Sequence, residues 1–308
     1  MARPLRIEYP GAFYHVTARG NEQKDIFKSR GDREQFLSYL ESASERYGAV
    51  IHVYCLLGNH YHLLLETPAG NLAQIMRHIG GAYTTYFNVK RKRAGHLFQG
   101  RYKAILVDKD AYALELSRYI HLNPVRAGIV PRPEEYAWSS YRPYTGLASV
   151  PSWLATDFVL GFLGGSGATG YRQFVNDSLG RECESPMKEV VASTILGDSD
   201  FVAKIAQRHL AQRTADRNVP AIRRLNRPTL DQIIAVVAGE LGTSGKLARN
   251  LSIYCCHRHS GARLREIGER FGLSDAAIAQ ASRRLRVAAE SDEKVRSLIE
   301  RVVRRLCS

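Results

Sequence analysis

The sequence predicts an α+β protein, in which an antiparallel sheet built on a split βαβ order is followed by an all-α, helix-turn-helix domain. Three observations predict it. Strand-like and helix-like periodicities alternate between residues 13 and 107; a Gly58-Asn59 turn signal separates two apolar runs; and from Thr229 onward only helical spacing persists.

Phe13 to Arg19 alternates as a strand, and Arg33 to Tyr47 then sets Phe36, Leu37, Leu40, Ala43 and Tyr47 at helical spacing. Ala49 to Leu57, rich in Val, Ile and Tyr, and His60 to Thr67 form a hairpin across Gly58-Asn59. Asn71 is placed to cap a helix carrying Leu72, Ile75, Met76, Ile79, Tyr83, Tyr86 and Phe87, and Tyr102 to Val107 gives a fourth strand. The order βαββαβ is that of a ferredoxin-like sheet, four antiparallel strands with two helices on one face. His60-Tyr61-His62 then lies on a central strand.

A further helix is expected from about Ala111 to Asn123, ended by Pro124, whose ring displaces the preceding residue from helical geometry. The first domain is read as residues 1–145. Residues 146–228 read as a linker region with short helices, such as one from Asp200 to Arg213, and with a flexible glycine-rich loop at Gly161–Gly170. Residues 229–308 read as a compact helical domain, with Ile233, Val236, Val237, Leu241, Leu251, Tyr254, Leu264, Ile267 and Phe271 as its apolar positions.

With 308 residues the chain can bury two ordinary cores without a metal or disulfide staple. Lys and Arg total 44 against 30 Asp and Glu, a formal charge of +14 that favours a polyanionic partner through counterion release. Nucleic acid is the partner this charge suggests. Five cysteines with no C-x-x-C spacing argue against a disulfide framework and fit a reducing cytoplasm. No apolar run is long enough to span a membrane, and the N-terminus lacks the apolar stretch of a signal peptide, so no membrane partner is expected.

Chemistry concentrates in two short segments. His60 and His62, at i and i+2 on a strand, point to the same face, where both imidazoles can hold one divalent ion. In Arg118-Tyr119-Ile120-His121-Leu122-Asn123-Pro124, Tyr119 and Asn123 are four apart and share a helix face, one a nucleophile and the other an oxygen ligand by residue type. His121 points elsewhere and is expected to pack. Lys90, Arg91, Lys92 and Arg93, followed by Arg101 and Lys103, form a basic segment suited to phosphate contacts.

Four ordered stretches, Gly11-Ala-Phe-Tyr-His-Val-Thr-Ala-Arg-Gly-Asn21, Leu57-Gly-Asn-His-Tyr-His-Leu-Leu-Leu65, Gly95-His-Leu-Phe-Gln-Gly-Arg-Tyr-Lys103 and Tyr119-Ile-His-Leu-Asn-Pro-Val-Arg-Ala-Gly128, resemble the single-tyrosine HUH transposases, and more narrowly the REP-associated tyrosine transposases. The resemblance spans roughly residues 5–145. It implies that His60 and His62 are metal ligands with Asn123 as the third, that Tyr119 is the nucleophile, and that one Mg²⁺ or Mn²⁺ is the cofactor. It further implies a single-stranded DNA substrate bearing a hairpin, such as a repetitive extragenic palindrome, cleaved and rejoined through a 5′-phosphotyrosine in a bacterial cytoplasm, in association with the nucleoid. Imidazole suits transition ions whereas Mg²⁺ prefers oxygen, so Mn²⁺ is expected to bind more tightly.

Downstream, Arg263 to Leu285 reads as helix, glycine-containing turn and helix, with Ser274 capping the second. With Ala248 to Tyr254 upstream, the segment from about Thr229 to Arg286 resembles the duplex-binding C-terminal domain of the replication initiator DnaA. It departs from that family where Asp275 is followed by Ala276, Ala277 and Ile278 instead of polar residues, which removes base-reading side chains. Arg283 and Arg284 are left as phosphate contacts to duplex DNA. The run Cys255-Cys256-His257-Arg258-His259 lacks zinc-finger spacing. Two other functions fit parts of the pattern: a non-catalytic DNA-binding regulator on the same scaffold, and an RNA-binding sheet, for which the stacking aromatics of an RNP motif are missing.

Overall fold

The computed structural model describes residues 6–180, 185–210, 227–242 and 245–307. The chain divides into two compact units, with the division between Asp198 and Ser199.

The first unit begins with β1 (Ala12–Arg19), α1 (Arg30–Tyr47), β2 (Val50–Leu56), β3 (His60–Thr67), α2 (Leu72–Lys90) and β4 (Lys103–Val107). The βαββαβ order is the expected one. The sheet runs β2-β3-β1-β4, each pair antiparallel, and a two-residue strand β5 (Ile195–Leu196) adds parallel to the free edge of β4. A strand so short leaves no periodicity in the sequence, and only its partner defines it.

The helix α1 starts three residues before the apolar pattern because Ser29 and Asp32 close a capping box, and it ends where Gly48 turns left-handed at φ 64°. Asn71 does not cap α2 through its side chain as expected; its Nδ2 instead donates to the Tyr47 carbonyl at 3.0 Å, tying the start of α2 to the end of α1.

Alternation along the strands sorts the sheet into two faces. Tyr61 points to the face covered by α1 and α2 and meets Phe36 at 4.7 Å between ring centroids. By the β1–β3 register, in which Thr17 lies opposite His62 and Arg19 opposite His60, the other face carries His15, Thr17, Arg19, His60, His62 and Leu64. Against this second face packs α3 (Lys109–His121), whose Ala113, Leu116 and Ile120 share a buried core with Phe13, Val53 and Leu64.

Two expectations are corrected here. The helix carrying Tyr119 ends at His121, two residues early, and Asn123 opens a separate turn, α4 (Asn123–Arg126), in which Pro124 occupies the first-turn position where its missing N–H costs nothing. Residues 146–198 are also not a linker. α6 (Asp157–Gly161) and α7 (Gly167–Asn176) contribute Val159, Tyr171 and Val175 to the same core as α3, β5 adds Leu196, and the preceding α5 (Tyr141–Tyr144) meets them there with Tyr141 and Tyr144. The glycine-rich run supplies the left-handed turns at Gly164, Gly165 and Gly167 from which α7 starts. Apolar residues spaced irregularly among glycines give no periodic signal, so only packing shows that they are core.

The second unit contains α8 (Ser199–Leu210), α9 (Leu230–Leu241), α10 (Lys246–His259), α11 (Leu264–Phe271), α12 (Asp275–Ser291) and α13 (Glu293–Cys307). The end of the helix expected to reach Arg213 lies outside the described residues. Ile233, Val237, Leu251, Ile267, Ile278, Leu285, Leu298 and Val302 form its core. Gly272, left-handed at φ 64°, ends α11, and Ser274 caps α12 by accepting from the Ala277 amide at 3.3 Å, as expected. Gly268 must be glycine: the Leu273 amide closes this turn by donating to the Gly268 carbonyl at 2.8 Å, and a Cβ at Gly268 would lie 2.4 Å from the Leu273 carbonyl oxygen. Cys255 and Cys256 are buried in this core, where burial pushes both thiols up to about 12. Among the described residues no helix is long and apolar enough to cross a membrane.

Candidate active site

β3 presents His60 and His62 side by side, with ring centroids 5.1 Å apart. β1 adds His15, which the sequence reading absorbed into the alternating strand; its Nε2 lies 2.9 Å from His62 Nδ1 and the two rings stack at 5.2 Å. From the opposite layer, α3 brings the half-buried Tyr119 ring to 6.2 Å from His62 and 6.3 Å from His15, edge to face in both cases. Strand and helix, 57 residues apart in sequence between His62 and Tyr119, are joined because α3 must bury its apolar stripe on this face of the sheet.

The electrostatics favour lone pairs over positive charge. Burial holds His15 down at about 4, and burial together with the Arg19 charge holds His60 at about 4. His62 lies well below the ordinary value because of burial first, and then because His15, His60 and Arg19 are cationic when protonated. All three imidazoles are therefore neutral at neutral pH, the form that ligates metal ions. His60 Nδ1 is 2.6 Å from Asn59 Oδ1. Although His15, His60 and His62 lie together, among the described residues no three His, Cys, Asp or Glu side chains are arranged to hold a metal ion, so a cation here would rest on the imidazole pair and on neutral oxygens.

Asn123 is not brought to the imidazoles by a hydrogen bond; its Nδ2 donates to the Ile120 carbonyl at 3.3 Å, and its amide oxygen is the atom of that side chain able to ligate a cation. Arg126, which sequence reasoning missed, places its guanidinium 4.9 Å from the centre of the Tyr119 ring and donates to the Tyr119 carbonyl at 3.0 Å. It lies seven residues beyond Tyr119, and the short α4 folds it back; no local pattern announces that.

His121 packs, as expected. It is fully buried, with Nδ1 2.7 Å from the Tyr171 hydroxyl and Nε2 2.7 Å from Ser140 Oγ, and Tyr171 also meets Ser117 Oγ at 2.8 Å. Ser140 in turn accepts from the Tyr54 amide of β2 at 3.0 Å. This network fastens the helix that carries Tyr119 to the sheet and to α7.

The basic segment divides. Lys90 and Arg91 are committed to the buried Asp32: Lys90 Nζ lies 3.0 Å from Oδ1, and Arg91 pairs with Oδ2 while its guanidinium stacks 4.1 Å from the Phe87 ring centre. Both side chains thereby neutralise a carboxylate inside the fold. Lys92, Arg93, Arg101 and Lys103 are exposed, although Arg93 also donates to the His96 carbonyl at 3.2 Å. Lys103 lies opposite Thr17 in the β1–β4 register and so projects from the histidine face. In the second unit, Arg283 and Arg284 are exposed on α12.

Comparison with known proteins follows this geometry. Residues 9–123, which hold β1 to β4, α3 and every histidine and tyrosine of the site, match the family model described as "Transposase IS200 like". A solved structure described as the REP-associated tyrosine transposase bound to a REP hairpin is similar at 16% identity, covering 51% of this chain and 93% of that one, with a TM-score of 0.42. That likeness is too distant to carry weight. No curated protein matches the chain. Residues 9–123, with their α+β scaffold, are therefore similar to the IS200-like transposases.

Proposed function

We propose that the first unit cleaves and rejoins single-stranded, hairpin-bearing DNA with Tyr119 as nucleophile and His60 and His62 as ligands of one divalent cation, Mg²⁺ or Mn²⁺. The observation that carries the reading is the placing of the Tyr119 ring edge-on against His62, which neighbours His60 on the same strand face, from a different layer of the fold. Neutral imidazoles, with the amide oxygen of Asn123 as a third donor, fit a transition ion better than a hard one, so Mn²⁺ should bind more tightly than Mg²⁺. When bound, the cation would polarise the scissile phosphate and offset charge developing on its oxygens.

The chain's own residues do the rest. The Tyr119 phenol oxygen attacks phosphorus; a bond forms between them, the bond from phosphorus to the 3′-oxygen breaks, the phenol proton is lost and the departing 3′-oxygen takes one up. The product is a 5′-phosphotyrosine and a free 3′-hydroxyl, and attack by that hydroxyl on the same phosphorus rejoins the strand. Arg19 and Lys103, on the histidine face, and the exposed Lys92, Arg93 and Arg101 would hold flanking phosphates. In the second unit, Arg283 and Arg284 would contact duplex DNA, positioning the protein more than reading bases. A reducing cytoplasm, near the nucleoid, is the setting in which such a chain would work.

The test is incubation with labelled hairpin-bearing single strands and Mn²⁺ or Mg²⁺, followed by denaturing electrophoresis. A protein–DNA adduct that disappears with Tyr119→Phe and with EDTA is the expected result. Tight binding without any adduct, across hairpins from the source genome, would replace this reading with that of a non-catalytic regulator.

A further inference from the structure

The hairpin turn that precedes the histidine pair is anchored more firmly than a turn requires. Gly58 and Asn59 are tied to the loop after β1 at both backbone and side chain: the amides of Ile26 and Phe27 donate to the Gly58 carbonyl at 2.9 and 3.0 Å, and the Gly20 amide donates to the Asn59 carbonyl at 2.8 Å. Glycine is needed at Gly20, where a Cβ would lie 2.0 Å from the Lys24 carbonyl oxygen, whereas one at Gly58 would meet only the movable Asp25 Oδ1 at 2.8 Å.

One further bond gives this anchoring a chemical consequence. Asn59 Nδ2 donates to the Gln23 carbonyl at 3.0 Å. A carbonyl only accepts, so the amide cannot be flipped, and the atom left facing His60 Nδ1 at 2.6 Å is the acceptor Oδ1. His60 must then carry its proton on Nδ1. A neutral imidazole has one proton, so Nε2 keeps its lone pair. At His62 the geometry does not impose the same choice, because its partner His15 Nε2 can either give or take the shared proton.

We propose that Asn59 is a positioning residue that fixes His60 in the Nδ1–H tautomer, so that its Nε2 is always ready to bind a cation. This rests on the proposed metal-binding role of His60 and names the residue that sets it. An acceptor behind a ligating imidazole also raises the basicity of the ligand, and loss of such a partner typically weakens metal binding by about 10- to 100-fold.

The experiment uses the full chain and reads two quantities. Long-range ¹⁵N–¹H NMR of the metal-free protein reports the tautomer of His60, and titration with Mn²⁺ followed by electron paramagnetic resonance reports affinity. The wild type should show His60 as Nδ1–H. Asn59→Ala should release it to a tautomer mixture and weaken Mn²⁺ binding by about 10- to 100-fold. Asn59→Asp keeps the acceptor while losing the donor to Gln23, so it should retain the Nδ1–H tautomer and bind Mn²⁺ at least as tightly; this separates the acceptor from loop anchoring. A wild-type His60 protonated on Nε2, or an Asn59→Ala protein with tautomer and affinity unchanged, would overturn the proposal. A wild type that binds no Mn²⁺ yet holds His60 as Nδ1–H would sink the metal reading and leave the tautomer assignment standing.

Discussion

Replacement of Asp32 by asparagine separates a structural from a DNA-binding role for Lys90 and Arg91. The carboxylate is fully buried at the start of α1 and accepts from the Lys28 and Ser29 amides at 2.8 and 3.0 Å, from Lys90 Nζ at 3.0 Å and from Arg91. Burial alone would raise its pKa, but the bonds from Lys90, Arg91 and the backbone outweigh it and hold the group at about 2, against an ordinary 3.8. At 1.36 kcal/mol per unit this depression corresponds to about 2.5 kcal/mol of stability. Because the folded value is the lower one, that stability is present above about pH 4 and is lost as pH falls toward 2. Asparagine removes the charge at every pH and leaves Arg91 partly buried without its counter-ion, a change that costs about 3–5 kcal/mol in comparable buried pairs.

The two routes agree on a loss of about 3 kcal/mol for Asp32→Asn at neutral pH, or a fall in Tm of about 6–12 °C for a unit of this size. Both tryptophans of the chain, Trp138 and Trp153, lie in the first unit, so urea denaturation followed by tryptophan fluorescence reads that unit alone. The midpoint should drop with little change in slope. A loss below about 1 kcal/mol at pH 7, accompanied by weaker binding of single strands, would refute the reasoning and return Lys90 and Arg91 to phosphate contact.

Three more outcomes are expected. Tyr171→Phe removes the hydroxyl that serves His121 and Ser117, and should cost about 1–3 kcal/mol in the same fluorescence assay, whereas an unchanged midpoint would mean that the network does not fasten α3. Burial lowers His15 to about 4 and His121 to about 3, below their unfolded values, so the fold is not penalised by them above about pH 6.5 and loses stability progressively as pH falls from there toward those folded values; a flat urea midpoint between pH 7 and pH 5 would contradict this. Lys92→Ala and Arg101→Ala, at exposed positions, should each lower the salt dependence of single-strand binding by about 0.7 in log–log slope while leaving stability within about 0.5 kcal/mol. Unchanged slopes would place the DNA elsewhere.

The sequence by itself determined the βαββαβ order and the face on which His60 and His62 emerge, because both follow from local periodicity: two residues along a strand always share a face, and helical apolar stripes need a sheet to cover. It also marked Tyr119, through an ordered set of motifs. It did not disclose His15, whose place between Tyr14 and Val16 looks like ordinary strand alternation until the β1–β3 register sets it beside His62. It did not show that Lys90 and Arg91 pair with the buried Asp32, since a basic run reads as solvated unless a carboxylate 58 residues before Lys90 is known to face it. It took residues 146–198 for a linker because Val159, Tyr171 and Leu196 follow no period; they become core only by meeting α3, Tyr144 and β4. Local propensity and pattern decide which elements form, whereas the partners of a polar or charged side chain depend on contacts between segments distant in sequence, and those are chosen by the packing of the whole unit.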